Sequence, residues 1–194
     1  MSRTLWLVRH GETEWSRSGS HTGRTDIPLT EAGREQAAAV GRWFAGRPLA
    51  LVLSSPLSRA HDTCNLAGYG DQAELDHDLL EWDYGDYEGR TTPDIRKEQP
   101  GWSLWVAGVP HGESIAQVSN RADRVIARIL REEGDMAVFA HGHILRILAA
   151  RWTEFEPQAG RRLALGTASV SSLGYERDTR VITQWNMPVA SSPW

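Results

Sequence analysis

Residues 4–15 read TLWLVRHGETEW, and residues 136–146 read MAVFAHGHILR. Each begins as a short apolar run and stops at a His-Gly pair. Thr4–Val8 and Met136–Ala140 show no polar alternation, and strands of that kind are buried on both faces. Leu49–Ser54 is a further strand of the same type, ended by Ser55 and Pro56. Ala73–Leu80 reads as a strand and its exit, and Ala168–Tyr175 and Arg180–Trp185 as two late strands.

Between the strands the spacing turns helical. Thr30 suits an N-cap for a helix over Glu31–Ala45. Pro56 suits the first turn of a helix over Leu57–Ala67, which Gly68 and Gly70 end. Glu113–Glu132 has Ile115, Val118, Ala122, Val125, Ile126, Ile129 and Leu130 on one face. A last helix runs from the second His-Gly pair to Arg151 or Trp152. Ser16–Pro28 reads as a loop, and Glu81–Gly89 as neither linker nor helix interior.

Alternation of this kind predicts an α/β fold, a three-layer α/β/α sandwich with a mostly parallel sheet and helices on both faces. With no repeat, low-complexity tract or linker, residues 1–194 are expected to form one domain. Ligands of such sheets bind beyond the carboxyl ends of the strands. Polar residues gather there: Arg9 and His10, then Ser54, Ser55 and Arg59, then Glu81, then His141.

Composition narrows the classes of partner. Twenty-one Lys+Arg stand against 25 Asp+Glu, a formal charge of −4, which disfavours nucleic acid and polybasic membrane binding. No apolar run approaches the ~20 residues of a membrane span, and the N-terminal run is shorter than a signal-peptide core. The single Cys64 excludes an intramolecular disulfide and fits a reducing compartment, so a soluble cytoplasmic protein is expected. A homodimer is expected only on the frequency of such assemblies.

A neutral imidazole can attack phosphorus or act as a base, and a guanidinium matches phosphate oxygens with paired hydrogen bonds. His10 with Arg9 supplies both, and Gly11 would let backbone approach a ligand closely. N–H groups at the start of the helix carrying Arg59 favour anions. Each feature alone has a plainer reading: a strand-end histidine bonded to backbone, or a solvent-facing helix arginine. Two His-Gly strand ends in one parallel sheet are harder to assign to accident.

LVRHGETEW, SSPLSRAHDT, LLEWDYGDYEG and FAHGHILR, in this order, resemble the histidine phosphatase (phosphoglycerate mutase-like) superfamily over residues up to about 150. The stretches TEWSRSGSHTGRTDIPLT, EWDYGDYEG and PHGES are most similar to the small broad-specificity acid phosphatases and the sedoheptulose bisphosphatases. The resemblance implies that His10 accepts the phosphoryl group and that Arg9, Arg59 and His141 bind its oxygens. It implies that Glu81 protonates the leaving alkoxide and then activates water. An acid in that role is expected to have a raised pKa. The substrate implied is a small phosphate ester such as a sugar phosphate, with no cofactor and no metal.

There are departures from the pattern. Ser16 stands where many relatives carry Asn, and Ser16 with His21, Thr22 and Gly23 is expected to complete the phosphate pocket together with Gly142. Trp102, with Trp105, is placed over the substrate. His141 and His143 have a spacing that suits a metal pair, but no acidic third ligand is close in sequence. Cys64 lacks an Arg six residues on, Asp76-His77-Asp78 lacks the Thr or Val of a haloacid-type motif, and no P-loop or serine elbow occurs. A phosphoglycerate mutase is the second reading, but residues 100–114 lack the double Arg of that branch. A catalytically inactive binding protein is the third.

Overall fold

The computed structural model describes residues 3–189. The chain order is β1 (Leu5–Arg9), α1 (Glu14–Ser18), α2 (Glu31–Phe44), β2 (Leu51–Ser54), α3 (Ser58–Leu66), β3 (Ala73–Leu75), α4 (Thr92–Glu98), α5 (Leu104–Ala107), α6 (Ile115–Ile129), β4 (Met136–Ala140), α7 (Gly142–Trp152), β5 (Ser169–Glu176) and β6 (Thr179–Pro188). The sheet has the order β3-β2-β4-β1-β5-β6. β1, β2, β3 and β4 pair in parallel, while β5 pairs antiparallel with β1 and β6 antiparallel with β5.

The unbroken apolar strands have a direct explanation. Leu5 and Leu7 of β1 join a core with Leu51, Leu53, Met136, Val138 and the inner faces of α6 and α7. Trp6 and Val8 join the opposite core with Val52, Ala137, Phe139, Val40 and Phe44 of α2, and Cys64 of α3. Alternate side chains of one strand therefore serve two layers, and a polar residue on either face would be buried. The three-layer α/β/α arrangement follows.

Several boundaries differ from the sequence reading. Within Ser16–Pro28, residues 16–18 belong to α1, which a capping box between Thr13 and Ser16 nucleates. The third strand ends at Leu75, because the Asp76 carboxylate accepts from Asp78 N and folds His77–Leu79 into a 3₁₀ turn. Pro56 lies outside α3, whose N-cap is Leu57. That cap has no side-chain bond of its own; Asp26 accepts from Ser58 N and Ser58 Oγ instead. Helices α4 and α5 were not anticipated, although Thr91 capping Asp94 N ahead of Pro93 is a readable start signal.

Candidate active site

The end of the sheet sets the site. His10 N donates to Ala140 O at 3.0 Å and Ser55 N to Phe139 O at 2.9 Å, so β1, β2 and β4 deliver His10, Ser55 and His141 side by side. The rings of His10 and His141 lie 5.2 Å apart. A cavity of about 180 Å³ opens above them. Arg9, His10, Ser16, His21, Thr22, Glu81 and Gly142 line it, as do Ser20, Tyr84, His143 and Arg146.

His10 is held in one tautomer. Its Nδ1 lies 2.7 Å from Gly11 O, and a carbonyl only accepts, so Nδ1 carries the proton and Nε2 keeps its lone pair. Burial, reinforced by the Arg9 and Arg59 guanidiniums, holds its pKa well below the usual imidazole range. The ring is therefore neutral and nucleophilic at ordinary pH. Arg9 is half-buried beside it, with Nη1 donating to Leu165 O and Nε without a protein partner among the described residues. A Cβ at position 142 would lie 3.5 Å from Arg9 Cζ, so Gly142 keeps this guanidinium uncovered.

Glu81 is set by the start of α7. That helix has no side-chain cap from His141, and its first-turn N–H groups need acceptors. Glu81 supplies them: Oε2 accepts from His143 N at 2.9 Å and Oε1 from Ile144 N at 3.0 Å. Oε1 also accepts from Trp82 N at 2.9 Å. Burial alone would raise the carboxyl, but the imidazole and backbone N–H of His143 outweigh it and hold Glu81 well below the usual carboxylate range. This corrects the expectation of a raised pKa, because three N–H donors favour the ionised form.

Arg59 and His141 sit one layer beneath the cavity rather than on its wall. Arg59 Nε donates to His141 Nδ1 at 3.1 Å, which fixes the His141 proton on Nε2, 2.8 Å from Ser55 Oγ. The remaining Arg59 bonds go to the carbonyls of Thr22, Gly23 and Thr25. A fully buried guanidinium must satisfy its donors, and the loop after α1 provides the acceptors. Arg59 thus ties that loop to His141 and adds positive charge below His10.

Other expected site residues fall into place or out of it. Thr22 and His21 reach the cavity; burial, with His143 nearby, lowers His21 to about 4. Gly23 lies off the wall, with its N–H donating to Glu88 and its carbonyl accepting from Arg59. Ser16 lines the wall, but its hydroxyl donates to Thr13 O and accepts from Thr13 N, so it has no proton left to offer an anion. Trp102 is not over the cavity: it packs behind His21, with Nε1 donating to Gly108 O. Trp105 likewise lies behind His143 and under Arg146. Gly11 serves helix packing rather than a ligand, since a Cβ there would meet Gly33 O at 2.3 Å. The two imidazoles with metal-pair spacing diverge, His141 toward Arg59 and Ser55, His143 toward Tyr84.

Sequence reasoning missed Ser20 and Arg146. Arg146 was findable, because it stands four residues after Gly142 on one helix face. Ser20 lies on a loop, and no periodicity places loop side chains.

Comparison with known proteins places the chain in a family. The pattern described as histidine phosphatase superfamily (branch 1) matches residues 5–188. An acid phosphatase of Mycobacterium tuberculosis is 43% identical over 180 residues, covering 91% of this chain and 88% of that protein. Sedoheptulose 1,7-bisphosphatase of Saccharomyces cerevisiae is 38% identical over 179 residues, covering 75% of this chain and 66% of that protein. A solved structure of an open reading frame product from Mycobacterium tuberculosis superposes with a TM-score of 0.92 at 40% identity, over 97% of this chain and 99% of that one. A family match along nearly the whole chain, joined to a neutral histidine beside two guanidiniums, makes this chain a member of the histidine phosphatase superfamily.

Proposed function

We propose that this chain is a phosphomonoesterase that hydrolyses small phosphorylated metabolites through a phosphohistidine on His10. The observation that carries the reading is the His10 tautomer: Nδ1 bonded to Gly11 O, Nε2 unprotonated, and the ring kept neutral by burial, Arg9 and Arg59. In the first step the Nε2 lone pair forms a bond to phosphorus and the ester P–O bond breaks. The leaving oxygen takes a proton on the Glu81 side, and the same carboxylate then accepts a proton from the attacking water. Phosphoryl transfer is mainly positioning and charge neutralisation, which the two guanidiniums supply.

The cavity supports a small, hydroxylated alcohol as leaving group. Its volume is about 180 Å³, and Ser20, His21 and Thr22 are among the side chains that wall it. Hydrolysis is favoured over mutase chemistry because residues 100–114 place no second pair of cations to retain a phosphorylated intermediate. A cytoplasmic, single-domain enzyme without a nucleic-acid partner is the reading that Cys64, the single sheet and the acidic balance support.

The test is rapid quench with a radiolabelled aryl phosphate. The denatured wild type should carry acid-labile, base-stable phosphate, and His10→Gln should carry none and turn over several orders of magnitude slower. Near-normal turnover by His10→Gln would overturn the nucleophile assignment.

A further inference from the structure

His143 lines the cavity without a part in the steps above. Its setting addresses a difficulty that Glu81 leaves open. Three backbone N–H groups hold Glu81 as a carboxylate, yet a leaving alkoxide needs a proton. Oε1 accepts two of those donors and Oε2 only one, so Oε2 retains a lone pair. His143 Nδ1 lies 3.8 Å from Oε2. Tyr84 Oη lies 2.7 Å from the same nitrogen. The rings of Trp105, Tyr84 and Trp82 surround the imidazole at 5.4, 5.8 and 6.2 Å, so it cannot swing away from Glu81 without displacing packed aromatics.

We infer that His143 is a positioning residue that shares with Glu81 the proton delivered to the leaving alcohol, while Tyr84 holds its Nδ1 in place. The inference rests on the phosphohistidine reading. The proton balance closes. As the His10–phosphorus bond forms and the ester bond breaks, the electron pair goes to the leaving oxygen. That oxygen takes a proton from Glu81 Oε2, and the Glu81–His143 pair is left with none. When water attacks phosphorus and His10 departs, the water's proton returns to the pair.

Glu81, Tyr84, His21, Arg9 and Arg146 face His143. Burial and the Arg146 and Arg9 guanidiniums oppose its protonation, while Glu81 favours it. A phosphate dianion beside Arg9 offsets the guanidiniums, so the pair takes up its proton in the complex.

The test compares His143→Gln and His143→Asn with wild type on alkyl and aryl phosphates. The alkyl rate should fall by at least about tenfold while the aryl rate changes little, since phenolate leaves without a proton. The alkaline limb of the alkyl kcat profile should move to lower pH. Equal losses on both esters, or an unmoved limb, would overturn the inference. A measurement on the wild type does not depend on how the variants fold. Nitrogen-15 spectra should show His143 protonated with inorganic phosphate bound and neutral without it, and a neutral ring in both states would also overturn it. Phosphoenzyme formation from the aryl ester should persist in both variants, whereas its absence in wild type would refute the phosphohistidine reading instead.

Discussion

Gly33→Ala tests how the nucleophile is held, from a residue that never touches the cavity. Gly33 is in the first turn of α2, where its N–H donates to the Thr30 cap at 3.0 Å. Alanine is favoured over glycine in a helix by about 1 kcal/mol, so local propensity alone predicts a more stable protein. The packing predicts the opposite. A Cβ at position 33 would lie 2.1 Å from Glu12 O and 2.9 Å from Glu12 N, and backbone atoms cannot rotate aside. Glu12 is itself pinned, with its N–H donating to Gln36 and its carbonyl accepting from Thr30 N. Overpacking costs roughly 1–3 kcal/mol, and a clash with pinned backbone belongs at the upper end, about 2–3 kcal/mol, which leaves a net loss of about 1–2 kcal/mol once the helix gain is subtracted. At about 2–4 °C per kcal/mol for a chain of this size, Tm should fall by about 2–8 °C. The displaced segment includes Gly11, whose carbonyl fixes the His10 tautomer, so kcat on an aryl phosphate should fall by about tenfold or more. Calorimetry and steady-state kinetics on one preparation read both effects. A Tm that rises by 2–4 °C with kcat unchanged would show that α2 yields freely, and would refute the reasoning.

Three further outcomes follow from the site. Glu81→Gln sets an amide N–H₂ against a backbone N–H, costing about 1–3 kcal/mol in urea denaturation. Its alkyl phosphate turnover should drop ~10²–10⁴-fold and its aryl turnover much less, and equal losses would argue against an acid role. His10, His21, His141 and His143 are all held below the imidazole value of 6.5. The unfolded chain then binds more protons, so stability present above pH 6.5 is lost as pH falls. A urea midpoint unchanged between pH 7.5 and about 5 would contradict the buried, neutral assignment. A chelator should leave kcat unaltered, because guanidiniums neutralise the phosphate; inhibition reversed by a divalent ion would refute that.

Strands and long helices were legible in the sequence because burial leaves a periodic record. β1 as far as Val8 and β4 throughout are apolar since Leu5 and Trp6 face different layers, and α6 shows its inward face at helical spacing. The strand-end rule brought His10, Ser55 and His141 together for the same reason. Elements shorter than two turns leave no such record. α1 depends on one reciprocal bond pair at Thr13 and Ser16, and the end of β3 on one Asp76 side chain. Depth in the site was also hidden. Nothing in SSPLSRAHDT says that Arg59 lies below His10 and holds the carbonyls of Thr22, Gly23 and Thr25, because those acceptors come from a loop. The direction of the Glu81 shift was hidden likewise, since it depends on α7 presenting N–H groups that lack their own cap.

On the proposed reading, a chain with a net charge of −4 would handle an anion through a few placed cations, and before the anion arrives the imidazoles are not among them. Each cavity histidine is driven neutral by burial, with Arg9 and Arg59 adding to the effect on His10 and His141. The positive charge that awaits a phosphate in the free protein is therefore that of guanidiniums, with Arg9 on the wall, Arg59 beneath it and Arg146 at the side. The same charges that draw the dianion keep a proton off His10 Nε2. Binding and activation are one electrostatic arrangement. Replacing Arg9 with Met should weaken substrate binding and also move the acid limb of kcat/KM to higher pH, because His10 would protonate more readily. If KM rose with that limb unmoved, Arg9 would be a binding group only, and the neutrality of His10 would have to come from burial.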